Sequence, residues 1–115
     1  MVGRSVHHVS INVTDTEPAR VFYEHLGFES IERPQLGFPG AWLRLGATEL
    51  HLLELPPPDA RGQHFSIHVE DLDTALRVLA EAGISADRVG GIDGICRQAF
   101  LSDPTGNQVE LTEPL

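Results

Sequence analysis

The sequence predicts an α+β fold of two βαβββ modules, forming a curved mixed β-sheet cup with helices on its outer face. Three observations carry that prediction. The stretch HHVSINVTD at residues 7–15 is echoed by QHFSIHVED at 63–71. A shift of 56 residues lays His8 on His64, Ser10 on Ser66, Ile11 on Ile67, Val13 on Val69, Asp15 on Asp71, Ala19 on Ala75 and Gly27 on Gly83. A repeat of that length occurring twice marks two related modules rather than a solenoid. Each copy then runs in the same order, from an alternating apolar segment through a helical stretch closed by glycine to further alternating segments.

The elements follow in order. Val9, Ile11 and Val13, like Phe65, Ile67 and Val69, alternate with polar residues at the period of a half-buried strand. Asp15 and Asp71 stand where a helix needs acceptors for its free N–H groups. The first helix is expected over TEPARVFYEHL, with Pro18 tolerated in its first turn, and the second over LDTALRVLAEA. Gly27 and Gly83 supply the C-terminal stops. Strands are expected at FESIER, AWLRL and TELHLLEL in the first copy and at ICRQAFL and NQVELTE in the second, with a weaker signal at SADRV. PPPDARG, 56–62, reads as the linker between module 1 (5–55) and module 2 (63–113) of a single domain, 1–115.

Composition excludes several classes of function. Eight Lys and Arg against 17 Asp and Glu give a net charge of −9, which repels a phosphate backbone, so no nucleic-acid partner is expected. The single Cys96 allows no internal disulfide and no cysteine-rich zinc site, and fits a reducing compartment. No segment is long and apolar enough for a signal core or a bilayer span, so no membrane partner and a cytoplasmic location are expected. The acidic runs VEDLD and LLEL are expected on solvated surface.

The polar sides of the strands carry the chemistry. Opposite the apolar positions lie His8, Ser10, Asn12, His64, Ser66, His68, Gln108, Glu110 and Thr112. The turn SDPTGN is longer than GATE, and three extra residues there make Glu110 the counterpart of His51. His8, His51, His64 and Glu110 are thus four potential ligands related by one pseudo-twofold operation. Imidazole nitrogens with a carboxylate oxygen suit one divalent ion, Zn, Ni, Co, Mn or Fe(II). Glu110 lies between Val109 and Leu111, where burial without a partner is costly. His7 is out of phase and His25 falls on a helix, so both are read as structural. In AWLRL the apolar phase turns Trp42 and Arg44 toward the substrate, and the 56-residue shift pairs them with Gln98 and Phe100. An arginine there suits a carboxylate or enolate oxygen. His68 stands about 13 Å along the strand from His64, too far to share its ion.

HVSINVTD followed by ARVFYEHLGF, with DPTGNQVEL near the end, resembles the vicinal oxygen chelate superfamily of glyoxalases, extradiol dioxygenases and bleomycin-resistance proteins. The resemblance spans nearly the whole chain; Phe22, Tyr23, Leu26, Gly27 and Phe28, with Asp103, Pro104, Gly106, Asn107, Glu110 and Leu111, carry it. It implies ligands at His8, His64 and Glu110, and a metal that receives a bidentate oxygen substrate and stabilises its oxyanion or enolate. The fourth ligand position is glutamate in glyoxalase I and His51 here.

Three functional classes are therefore expected. The first is a metal-dependent lyase or isomerase of small bidentate oxygen substrates, with its general base unidentified. The second is an extradiol-type dioxygenase, in which two histidines and one carboxylate hold Fe(II). The third is a non-catalytic, bleomycin-type antibiotic binder, which the acidic charge suits and the ligand set does not. A fosfomycin-type transferase fits less well, because SADRVGGIDG brings little positive charge. Exposed sheet edges make a homodimer the expected assembly.

Overall fold

The computed structural model describes residues 2–59 and 62–115, so residues 60 and 61 of the expected linker lie outside the described part. The chain divides into two compact units, Met1–Pro58 and Asp59–Leu115. Each is a βαβββ module, as the repeat predicts.

The first unit runs β1 (His8–Val13), α1 (Thr16–His25), β2 (Glu29–Ile31), β3 (Gly40–Leu45) and β4 (Thr48–Glu54). The second runs β5 (His64–His68), α2 (Leu72–Glu81), β6 (Arg88–Ile92), β7 (Cys96–Ser102) and β8 (Gln108–Pro114). The backbone hydrogen bonds make two mixed sheets of four, one per module, ordered β1-β4-β3-β2 and β5-β8-β7-β6. In each, the first strand pairs in parallel with the last strand of the same unit. The helix between them provides the crossover that parallel neighbours require.

One face of each sheet is apolar and carries the helix. In the first unit Val13, Leu43, Leu50 and Leu52 are buried with Ala19, Phe22 and Tyr23 of α1. Tyr23 packs edge-on to both Phe22 and Phe28, with ring centroids 5.0 and 5.8 Å apart. In the second, Ile67, Ala99, Leu101, Val109 and Leu111 are buried with Leu72 and Leu79 of α2. Each such leucine contributes about 2 kcal/mol on burial. The polar residues of the same strands are thereby turned to the other face.

The helix starts depart from expectation in an informative way. Asp71 does accept from the Thr74 N–H, at 3.1 Å, but the Asp15 side chain makes no capping bond. The Glu54 carboxylate takes that role, accepting from both the backbone N–H and the hydroxyl of Thr16 at 3.0 Å. Glu113 repeats it, accepting from the Leu72 N–H at 2.7 Å. Each last strand therefore ends on a carboxylate seated at the N-terminus of its own helix, where free N–H groups and the helix dipole favour negative charge. Glu54 belongs to the LLEL run expected on solvated surface; its position at a helix start explains why it is half-buried instead.

The turn before β8 is built around one buried side chain. Asp103 Oδ1 accepts from the N–H groups of Thr105, Gly106 and Asn107 at 2.8–2.9 Å, and Asn107 Nδ2 donates to Oδ2 at 3.0 Å. Gly106 has φ +103°, a conformation costly for other residues. The DPTGN motif thus sets the approach of β8, which accounts for its marking the fold rather than a reaction.

Replacing Glu54 or Glu113 by alanine is expected to lower stability by about 1 kcal/mol each, as loss of a cap does. Urea unfolding followed by circular dichroism measures it, and Glu54→Gln should retain part of the loss-free value because its amide oxygen still accepts.

Candidate functional site

In the first unit the parallel register sets His8 opposite Glu49 and Ser10 opposite His51, while the β3–β4 register sets Trp42 opposite His51. The rings form a stack. Trp42 lies on His51 at 4.1 Å and 3°, and His8 on the other side at 4.2 Å and 15°. His51 is buried, and its Nε2–H donates to Glu49 Oε1 at 2.8 Å. That bond is the main cause holding the Glu49 carboxyl below its usual range. Nδ1 is then the His51 nitrogen that Glu49 does not engage. His7 Nδ1 and His8 Nδ1 stand 3.0 Å apart, sharing one hydrogen. Stacked imidazoles present their in-plane lone pairs side by side, so the donors of this unit are adjacent without converging.

In the second unit the equivalent register sets Ser66 opposite Glu110 and Phe100 opposite Glu110. His64 Nδ1–H donates to the Gly62 carbonyl at 2.9 Å, which directs Nε2 to Glu110 Oε1, also at 2.9 Å. Glu110 is 7% exposed, and Gln98 Nε2 donates to its Oε2 at 3.0 Å. Thr112 donates to the same oxygen and shares a hydrogen bond with Ser66. Burial pushes the Glu110 carboxyl up, but the bonds from Thr112, Gln98, His64 and Ser66 together hold it below the ordinary range. The carboxylate is therefore charged at neutral pH, although nearly out of water.

The donor set of this second unit fits a divalent ion. Two ligands about 2.1 Å from one ion stand about 3.0 Å apart at octahedral right angles and about 3.4 Å apart at the tetrahedral angle of zinc, and His64 Nε2 and Glu110 Oε1 are at 2.9 Å. The hydrogen bond on the far nitrogen of His64 is the arrangement that orients a ligating imidazole. Among the described residues, no three His, Cys, Asp or Glu side chains form a metal-holding cluster.

The remaining expected site residues have defined places. Gln98 holds Glu110, and Phe100 sets its ring edge-on to His64 at 5.4 Å. Arg44 is exposed and pairs with Glu29 at 3.7 Å. Pairing these residues by a 56-residue shift fails, because register makes Phe100, not Gln98, the counterpart of Trp42. Two of the three extra residues precede β7 and only one lies between β7 and β8. The offset is consequently 56 at the first strands, 58 at β7 and 59 at β8, so Glu110 does answer to His51. Sequence reasoning missed Glu49 and Arg88. Glu49 was legible as the residue two before His51 on the same strand face; Arg88 sat in the weakest strand signal. Its guanidinium lies 4.2 Å over the Phe100 ring.

Thr112→Val is expected to raise the Glu110 pKa, since the largest favourable hydrogen bond is lost while burial remains. Carbon-detected NMR titration of the glutamate side chains reads this directly. With a folded pKa below the unfolded one, Glu110 stabilises fully above the ordinary carboxylate range and loses that contribution as pH falls through its lowered value. The variant should lose it at higher pH.

Residues 5–111 match the Glyoxalase/Bleomycin resistance protein/Dioxygenase superfamily. The chain is 33% identical over 122 residues to Glyoxylase I 4 of Arabidopsis thaliana, covering 93% of this chain and 69% of that one. Its fold superposes on a glyoxalase family protein from Bacillus anthracis with TM-score 0.87, at 25% identity, covering 100% and 98% of the two chains. It also superposes on TnmS3, an antibiotic binding protein from Streptomyces sp. CB03234, with TM-score 0.80, 29% identity and coverage of 100% and 99%. With the repeat, the module topology and the family match in agreement, the chain belongs to the Glyoxalase/Bleomycin resistance protein/Dioxygenase superfamily.

Proposed function

We propose that this protein is a divalent-metal-dependent enzyme, a lyase or isomerase acting on a small substrate with two neighbouring oxygens. The observation that carries the reading is the His64–Glu110 pair, two charge-matched donors 2.9 Å apart with their outer atoms already fixed. His64, Glu110 and His8 are the ligands in this reading, and His51 the fourth candidate through Nδ1. When bound, the ion supplies Lewis acidity that stabilises an enolate or oxyanion.

The chain's own residues prepare that chemistry. Gly62 accepts from His64 Nδ1–H, so Nε2, which faces Glu110, is the nitrogen at which an ion would take the place of the shared hydrogen. Gln98 and Thr112 hold the Glu110 carboxylate in its ionised form and in one orientation. Phe100 closes one side of His64, and Trp42 covers His51. Neighbours of this kind alter metal affinity about 10–100-fold when removed, so Gln98→Leu should weaken metal binding by that factor without unfolding the protein.

A second reading is favoured by a specific observation. TnmS3 is an antibiotic binding protein and is similar to this chain over its whole length. A binder would use the same rings, Trp42 and Phe100, without needing an ion. A dioxygenase with Fe(II) on the two histidines and the carboxylate is the remaining alternative. Among the described residues no helix is long and apolar enough to cross a membrane; a cytoplasmic location and a homodimer belong to the proposal. For the dimer, the β6 edge strand exposes Val89 and Ile92, with Ile95 just beyond.

Elemental analysis of protein purified without a histidine tag, beside His64→Ala and Glu110→Ala, tests the reading. About one equivalent of a divalent metal in the wild type, lost in both variants, is expected. Zinc, nickel or cobalt favours the lyase or isomerase, and iron the dioxygenase. Failure to retain any of these ions after incubation would make the antibiotic binder the better reading.

A further inference from the structure

A row of side chains crosses the polar face of the second sheet. Register sets Arg88 of β6 opposite Phe100 of β7, and Phe100 opposite Glu110 of β8. Directly opposed residues share a face, so Arg88, Phe100 and Glu110 lie on one side, together with His64. Phe100 is the shared surface, with the Arg88 guanidinium 4.2 Å over its ring and the His64 ring edge-on to it at 5.4 Å. Two strand spacings separate Arg88 from Glu110 at the backbone, about 10 Å, and the fold of the arginine onto Phe100 shortens that reach.

Three arginines lie on carboxylates, whereas Arg88 lies on an aromatic ring, as Arg33 does over Phe38 at 5.0 Å; only Arg88 has its ring beside His64 and Glu110. Arg20 is paired with Glu17 and Glu24, Arg44 with Glu29, and Arg97 with Asp73. Among the described residues Arg88 has no carboxylate partner, in a chain with 17 acidic residues and 8 basic ones. Its guanidinium lies instead over an aromatic ring, a contact that leaves N–H groups for an incoming anion. The next residue of β6 on that face is Gly90, opposite Gln98, and a side chain there would meet nothing within 4 Å. Open space therefore adjoins the guanidinium on the side of the Glu110 partners.

We infer that Arg88 is a specificity residue, which selects substrates bearing a carboxylate at the end opposite their two metal-binding oxygens. The inference deepens the proposed function and rests on its placement of the ion at His64 and Glu110. Arg44, the arginine singled out by sequence, is exposed and faces Glu29 at 3.7 Å; the inference does not extend to it.

Isothermal titration with two probes that differ only in the distal carboxylate, 2-oxoglutarate and 2-oxopentanoate, provides the test. Both are titrated into the wild type, Arg88→Gln and Arg88→Lys, with and without Co(II), and cobalt retention is measured on the same samples. The wild type should bind 2-oxoglutarate at least about tenfold more tightly, as a charge-assisted pair allows. The two probes should become equal within about twofold in Arg88→Gln, with Arg88→Lys intermediate because it keeps the charge without the planar fork. Equal binding of the probes to the wild type, no binding of either, or a preference retained in Arg88→Gln overturns the inference. A preference lost in Arg88→Gln but seen equally without cobalt supports Arg88 and counts against the metal reading alone.

Discussion

Parallel pairing between the first and last strands of each module is the constraint from which the site geometry follows. It seats β1 against β4 and β5 against β8, so residues 40 or more positions apart in sequence become neighbours on one sheet face. His8 comes beside Glu49, and His64 comes within hydrogen-bond reach of Glu110. A parallel pair requires a crossover, and the helix that provides it covers the apolar face of the same sheet. The burial of leucines and valines under that helix is what commits the polar residues to the other side. The capping of each helix by Glu54 or Glu113, from the end of the same last strand, ties the crossover to the strand it serves.

The two modules use this shared frame differently. In the second, a buried carboxylate is kept charged by four hydrogen-bonding neighbours, and a histidine is oriented toward it by a backbone carbonyl. Desolvation opposes charge there, and hydrogen bonding outweighs it. In the first, the equivalent position is a histidine, and a histidine beside another histidine and a tryptophan stacks instead of pairing by charge. The carboxylate of that module, Glu49, sits two residues earlier and engages the histidine from its edge. Pseudo-symmetry in the backbone therefore yields two distinct local chemistries, one converging and one stacked, because the last-strand residues differ.

Charge distribution follows the same logic. In this acidic chain three arginines, Arg20, Arg44 and Arg97, lie on carboxylates. Arg33 and Arg88 lie on aromatic rings instead, and Arg88 is the one in the row that leads to Glu110.

The sequence by itself determined the modules, the helices with their glycine stops and the placing of His8 and His64 at the head of equivalent strands. Those features are local or repeated: alternation at period two, a helix bounded by Gly27 and Gly83, and identical residues at a constant offset. Tertiary structure alone decided the rest. Hydrogen-bonded register, which no local pattern encodes, moved the offset from 56 to 58 and 59 and matched Trp42 with Phe100. It also decided that Glu54 rather than Asp15 caps α1, that Gln98 serves Glu110, and that Arg88 reaches Phe100. Each of these depends on which strand lies beside which, and that is fixed only when the apolar faces are buried and every backbone group finds its partner.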